Sequence, residues 1–448
     1  MDSERAPQRE VAGDLGAIEL PPQRGLLRRV GKRPELMHYN RLIVLVLAGN
    51  LAYLLFGLGG SASLATLSNL VLGNLAMAIL IRQQHVINLL FKLATSAPTH
   101  WPLAIRWILG KVYHFGGLHV GGAVAGTIWY GIFVGSLTRD VLAGALTVSV
   151  TTVVVSYLLL AVLTSIVVMS LPSIRQRYHD SFEHTHRFGG WTALILFWIQ
   201  TVLFIAAESG DAGLARAVLA SPSVWVLAVL TVSIALPWLR LRKVPIDIVS
   251  PSSHVALARF DYGVTPFAGS STVLSRSPLM EWHAFANVPA PGKDGFRLTI
   301  SRAGDWTGKL IDDQPSHIWV KGIPTAGVGN IDKLFRRVVW VATGSGIGPT
   351  LPHLLSGEVP ARLVWSTRSP RTTYGDDLVD EILAAEPNAV IWDTDAAGRP
   401  DLVKLAYRAY REFDAEAVIC ISNKKLTWQV VYGMESRGIP AYGAIWDS

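Results

Sequence analysis

Along the first 240 residues long apolar runs alternate with short basic stretches; beyond Lys243 the chain changes to short β-branched runs punctuated by Gly and Pro. The apolar runs lie near 41–59, 64–82, 116–135, 142–170, 188–207 and 222–239. Each approaches the roughly 20 residues that an α-helix needs to cross hydrocarbon. The run 142–170 carries no charged residue and is longer than an ordinary core helix. The pattern therefore predicts six membrane spans rather than six buried helices. In the second half, 255–260, 272–274, 296–300 and 317–320 read as strands of an antiparallel β-barrel. From Arg336, apolar strands at 338–342, 361–366, 389–392 and 417–421 alternate with helical stretches at 350–356, 376–385 and 400–412. That alternation predicts an α/β unit with a parallel sheet covered on both faces.

Composition agrees with this division. Half of the chain is apolar and 16% is charged, which is unusual for a soluble enzyme. Basic residues crowd the segment before the first span (Arg24, Arg28, Arg29, Lys32, Arg33, Arg41) and the one between the second and third (Arg82, Lys92, Arg106, Lys111). They recur at Arg175, Arg177 and Arg187 and again at Arg240, Arg242 and Lys243, while the alternate loops carry only Arg139 and Arg216. By the positive-inside rule both termini and the second half face the cytoplasm. The net charge of +7 is accounted for in this way and gives no argument for nucleic acid. Residues 1–38 are polar, contain Pro21-Pro22 and read as a flexible cytoplasmic tail, with no short apolar stretch that would mark a cleaved signal peptide. A single cysteine, Cys420, excludes an intramolecular disulfide framework and a cysteine-ligated iron–sulfur cluster. The expected domains are a tail (1–38), a six-helix membrane domain (39–243), a barrel (244–335) and a nucleotide-binding α/β domain (336–448).

The strand at 338–342 runs into Gly344-Ser345-Gly346-Ile347-Gly348-Pro349. Glycines there let the chain turn tightly into a helix and bring backbone amides and the helix N-terminus close to a pyrophosphate. An ordinary strand-to-helix turn would look the same, and the position after a barrel-like segment favours the functional reading. Residues from about 250 to 448 resemble the ferredoxin–NADP reductase-type module of ferric reductases and NADPH oxidases. His283-Ala284-Phe285-Ala286 matches the family's FAD-binding His-Pro-Phe-Thr/Ser segment, and Gly304-Asp305-Trp306-Thr307 matches its Gly-Asp-Trp-Thr in full. Gly322-Ile323-Pro324-Thr325 corresponds loosely to its Gly-Pro-Tyr-Gly loop. The resemblance implies FAD at the barrel, NAD(P)H at Gly344, Gly346, Gly348 and Pro349, and Arg368 near the NADPH ribose. Arg368 and Arg371 are candidates for a 2′-phosphate, a lean toward NADPH; Trp446 is a candidate shield for the flavin ring or a core tryptophan. Two departures stand out. Ala284 and Ala286 replace a proline and a phosphate-touching hydroxyl, and the family's Cys-Gly-Pro becomes Cys420-Ile421-Ser422-Asn423, crowding the place where nicotinamide stacks. The stretch 432–438 resembles a fungal-type, conidiation-associated subgroup of such membrane flavoproteins.

In the resembled family, haem is held by histidines on facing helices. Here His119 opens the third span and His186 the fifth, both running from inside to outside, so the two share a depth. His114 and His184 are the alternative ligands, though His114 and His119, five apart, point about 140° from one another. Interfacial histidines without a metal are the competing reading. The family's second histidines lie roughly four turns further on, where this chain has Phe133 and Ile199 or Gln200, so at most one inner haem b is expected. The resemblance implies a membrane oxidoreductase of the ferric reductase type, taking electrons from NAD(P)H through FAD to a quinone or an iron chelate. The alternative is a regulatory flavoprotein in the lipid bilayer that binds FAD without turnover. On either reading a reporter fused after Ser448 is expected to be active on the cytoplasmic side, and activity on the far side alone would overturn the topology.

Overall fold

The computed structural model describes residues 15–57, 62–209, 213–289 and 292–444. Its first half is helical: α1 (His38–Ala52), α2 (Leu64–Leu80), α3 (Gln84–Thr95), α4 (Leu103–Leu109), α5 (Gly116–Leu142), α6 (Val150–Ser170), α7 (His179–Ser209) and α8 (Pro222–Leu239). Among the described residues five helical stretches are long and apolar enough to cross a membrane. A sixth is reached only if α2 and α3, bent by 71° to one another, count as one span. The bend falls at Arg82 and Gln83, where the Gln83 side chain accepts from the amide of His85 (2.5 Å) and so starts a new helix. The run expected to be helical from 142 begins only at Val150, where Ser149 caps it by accepting from the Thr152 amide.

Helix α5 lies at the centre of this block because its glycines admit close neighbours. A side chain at Gly122 would come within 2.6 Å of the Asn74 carbonyl oxygen, one at Gly121 within 2.9 Å of Val46, and one at Gly126 within 2.9 Å of Leu75. Small residues are the usual solution where apolar helices must associate by packing alone. Asn50 and Asn74 exchange amide hydrogen bonds (3.0 and 2.8 Å), and Trp129 Nε1 donates to Asn50 (2.7 Å), tying α1, α2 and α5 together.

The second half holds two units. Strands β1 (Arg242–Pro245), β2 (Asp247–Ser252), β3 (Val255–Phe260), β4 (Ser270–Ser275), β5 (His283–Ala286), β6 (Phe296–Ser301) and β7 (His317–Ala326) form antiparallel sheets of order β1-β7-β4-β5 and β2-β3-β6. Val244, Ala258, Phe260, Leu274, Leu298 and Ile300 fill the space between them. After them β8 (Val338–Thr343), β9 (Ala361–Thr367), β10 (Val390–Asp393), β11 (Ala417–Ile421) and β12 (Ala441–Gly443) form one parallel sheet of order β10-β9-β8-β11-β12. Helices cover both of its faces, so residues 338–342 are wholly buried and read as an unbroken apolar run. The chain leaves β8 in one direction and returns through β11 on the other side, which opens a crevice at the carboxyl edge between them. Barrel followed by parallel α/β sheet is the order expected of a ferredoxin–NADP reductase-type module.

Four groups of contacts fix this module to the helices. The side-chain amide of Gln84 pairs with Ile323 as a β-strand would, accepting from its N–H (3.1 Å) and donating to its carbonyl (3.1 Å), and reaches Thr325 (3.0 Å). Asn88 does the same for Pro324 (3.0 Å) and Ala326 (2.8 Å). Arg106, 2% exposed, grips both oxygens of Glu416 (2.6 and 3.0 Å) and the carbonyl of Leu334. Buried Glu435 accepts from Lys111 (2.5 Å) and Trp107 (3.0 Å), with Lys32 at 3.5 Å. Burial alone would raise its pKa, yet the charges of Lys111 and Lys32 hold the carboxyl below the usual range. The expected tail is anchored from residue 15 onward: Leu15, Ile18 and Leu20 pack on the α/β core, and Arg437 donates to the carbonyl of Pro21 (2.9 Å).

Two outcomes follow from this packing. Gly122→Leu should destabilise the helical block by about 1–3 kcal/mol through overpacking, read as a lowered thermal midpoint in detergent; Gly135→Ala, which meets nothing within 4 Å, should not lower it. Replacing Gln84 and Asn88 together by Ala removes contacts worth about 1 kcal/mol each. Hydrogen exchange at the amides of Ile323 and Ala326 should then rise at least tenfold, and unchanged exchange would show that the loop is held by something else.

Candidate redox cavity

The flavin-motif residues converge on strand β5 and on α9 (Asp305–Asp313), which starts directly after Gly304. The Trp306 ring lies 4.5 Å from His283 and 5.9 Å from Phe285, the latter pair stacked. Thr307 serves the turn itself: its hydroxyl accepts from the Ala303 amide (2.9 Å) and donates to the Gly304 carbonyl (3.2 Å). Asp305 is exposed in the first turn of α9. Ala286 ends β5, opposite Ser271. Loop 277–282 is pinned to the helical block by Arg187, which donates to the carbonyls of Leu279 (2.9 Å) and Met280 (2.5 Å) and pairs with Glu183.

The glycine loop lies where the crevice requires it. Gly344 has φ +50°, a left-handed turn that suits glycine, and α10 (Ile347–Ser356) starts two residues beyond, with Pro349 in its first turn. The other two glycines are demanded by packing. A side chain on Gly346 would strike the Ile421 carbonyl, and one on Gly348 would come within 3.2 Å of Thr299 on β6. Arg368 lies beyond the carboxyl end of β9 with its side chain 79% exposed, 3.9 Å from Asp395. Arg371 is held by Asp376 (3.0 Å) and Asp380 (2.9 Å), which leaves Arg368 the freer of the two guanidinium groups for a phosphate. At the altered Cys-Gly-Pro position the hydroxyls of Thr343 and Ser422 hydrogen-bond directly across the tips of β8 and β11. Burial pushes the Cys420 thiol up to about 12, so it stays protonated and unreactive near neutral pH. Trp446 lies outside the described residues.

On the helical side the His119 and His186 rings are 6.1 Å apart. Two imidazoles ligating one metal at roughly 2 Å each place their ring centres roughly 6 Å apart. His119 Nδ1 lies 2.8 Å from the carbonyl of Ala78, a contact that assigns the proton to Nδ1 and leaves Nε2 free. The alternatives are engaged elsewhere: His114 Nδ1 accepts from the Tyr39 amide (3.2 Å), and His184 stacks on Phe188 (6.1 Å). Further out, Tyr130 donates to Gln200 (2.9 Å) and Gln200 to Ser156 (2.8 Å), and Tyr130, Phe133 and Gln200 line the same open space as the two histidines.

Some of these groups line one cavity of about 1780 Å³; Phe285, Trp306, the glycine loop and Arg368 lie outside its lining. Its walls include Lys424 from the α/β unit, Trp282, His283 and Ala284 from the barrel, and His119 and His186 from the helices. Arg82 also lines it. In the sequence this residue marks only topology; in the structure its backbone N–H donates to the Ile79 carbonyl (3.2 Å), while its guanidinium makes no hydrogen bond or ion pair with the described residues. Lys321 lines it as well, and burial, then the neighbouring charge of Arg187, lowers its pKa to about 8.

Comparison with known proteins gives three findings. Residues 328–448 match the family model described as the C-terminal domain of adenylate-forming reductase 03009. Adenylate-forming reductases 03009 and 06235 of Coprinopsis cinerea are each 47% identical over 384 residues, covering 85% of this chain and 37% of theirs. The chain thus spans little more than a third of the length of those curated relatives. Among solved structures, a ferredoxin–NADP+ reductase from Neisseria gonorrhoeae with bound FAD and NADP is 16% identical over 46% of this chain and 98% of its own, with a TM-score of 0.39. Phthalate dioxygenase reductase is 17% identical over 46% of this chain and 67% of its own, with a TM-score of 0.36.

Proposed function

We propose that the chain is a membrane-bound flavoprotein oxidoreductase passing electrons from NAD(P)H, through FAD and one haem b, to an acceptor in or at the lipid bilayer. The observation that carries this reading is the single cavity that joins the α/β unit, the flavin-motif strand and the histidine pair. FAD would supply the change from hydride to single electrons, and haem the carriage of one electron at a time. His283 opens on the cavity and is backed by the tilted ring of Trp306, on which Phe285 stacks, so it is the aromatic group of this cluster within reach of a flavin there. The ring of His119, whose Nδ1 is taken by Ala78, lies 6.1 Å from that of His186, a separation that two ligands of one metal would have, and the guanidinium of Arg82 is available to a haem carboxylate. Gly344, the start of α10 and the exposed Arg368 provide for a nicotinamide dinucleotide phosphate. A quinone or iron chelate reached from the membrane side is the acceptor that suits a path ending at the inner histidines, with both termini and the redox module in the cytoplasm. The relatives are named as adenylate-forming reductases, and the reductase part of that name agrees with this reading.

A second reading is favoured by the Thr343–Ser422 hydrogen bond, which ties the tips of β8 and β11 where nicotinamide would approach: a flavoprotein that senses rather than turns over. Purified full-length protein supplied with FAD and haem should carry FAD and about one haem per chain. His119→Ala or His186→Ala should remove the Soret band and leave FAD in place. Anaerobic NADPH should bleach the flavin absorbance within seconds; a flavin that stays oxidised selects the sensor. Two haems per chain would overturn the haem assignment, and a folded protein that takes up no FAD would overturn the reading itself.

A further inference from the structure

Lys321 is absorbed neither by the resemblance nor by the fold. It sits on β7 just before Gly322, and its ammonium lies 4.1 Å from the Trp238 ring and 4.3 Å from the Trp282 ring. Trp238 ends the last long helix, α8, and Trp282 directly precedes β5, so the lysine is boxed by the two halves of the molecule. Both indoles and the lysine line the cavity that contains His283. Among the described residues no carboxylate, carbonyl or hydroxyl pairs with this ammonium. Glu183, the acid whose charge reaches it, is taken by Arg187 at 3.3 Å.

A cation withdrawn from water recovers only part of its lost hydration from two aromatic faces. A cavity built around such a group therefore favours an anion. The same strand system lacks a group that an anionic ligand would use: Ala286 stands where the resembled family has a hydroxyl that touches phosphate. Lys321 is two strands away from β5 in the same sheet, opposite Val273, which in turn faces Ala284. A charge-assisted contact is stronger than the neutral hydroxyl contact it would replace.

We propose that Lys321, held between Trp238 and Trp282, is the phosphate-binding residue of the flavin site. This deepens the flavoprotein reading and rests on it. The lysine gives the site its preference for a phosphorylated flavin over riboflavin, and because Trp238 belongs to α8, that preference depends on the helical block being docked.

The test uses the full-length chain in detergent, freed of cofactor and titrated with FAD, FMN and riboflavin by flavin fluorescence. The unaltered protein should bind FAD and FMN at least about tenfold more tightly than riboflavin. Lys321→Gln should erase most of that preference while leaving riboflavin binding unchanged, and Lys321→Arg should keep it. Titration with NADP+, followed by tryptophan fluorescence, should be the same in all three proteins. Equal weakening of all three flavins by Lys321→Gln would overturn the proposal, as would an undiminished preference. Loss of NADP+ binding with flavin binding intact would assign the lysine to the other nucleotide and overturn it too. A native chain that binds no flavin would take the flavoprotein reading down with it; one that binds FAD regardless of Lys321 would remove only this inference.

Discussion

Glu435 is a carboxylate taken out of water and given back two ammonium groups and an indole N–H. An unpaired charge at that depth would cost several kcal/mol, so Lys111, Lys32 and Trp107 must stay where they are whenever the α/β unit is folded. Those partners come from the helical half and the segment before it, whereas Glu435 comes from near the end of the chain. Arg106 and Glu416 repeat the arrangement a short distance away. Between them they set the orientation in which Lys424 and His283 open on one cavity. A path for electrons depends on such placement, because every group along it is otherwise an ordinary surface or core residue.

Much of the architecture was legible in the chain itself. The apolar runs are long enough that composition alone marks them, and the wholly buried strands 338–342 and 417–421 read as unbroken apolar segments. Strands β1 and β2 were missed because Arg242, Lys243 and Pro245 look like the basic stretch that follows a span, and Pro251 argues against a strand. At three residues, β12 is too short to carry a pattern. The run at 64–82 ends close to where α2 ends, at Leu80; what it does not show is α3, which starts at the Gln83 cap inside a stretch that reads as a basic loop.

The site was legible to a different degree. His119 and His186 could be paired from span direction and depth, since both open helices that run the same way, and their rings do lie together. Arg82 and Lys321 gave no such signal. One is a loop charge that sets topology, the other falls just past the strand read at 317–320, and both acquire meaning only from what surrounds them. Gln84 and Asn88 belong with them: a side-chain amide that imitates a β-strand partner is invisible until the strand more than two hundred residues away is in place.

The hydrogen-bonded network of Tyr130, Gln200 and Ser156 has an energetic consequence for the membrane reading. Moving one elementary charge across the whole bilayer against 100 mV takes about 2.3 kcal/mol. For an electron leaving an inside-negative compartment that step is downhill, so a full crossing would draw on the field and dissipate it. Where a second histidine pair would be expected this chain has Phe133 and Gln200, packed on Phe204 and hydrogen-bonded to Tyr130 and Ser156 respectively, and on the proposed topology the histidine pair lies toward the cytoplasmic end. An electron following this path would traverse only a small part of the field. The protein would be nearly electroneutral in operation: its turnover would neither drain nor build the membrane potential.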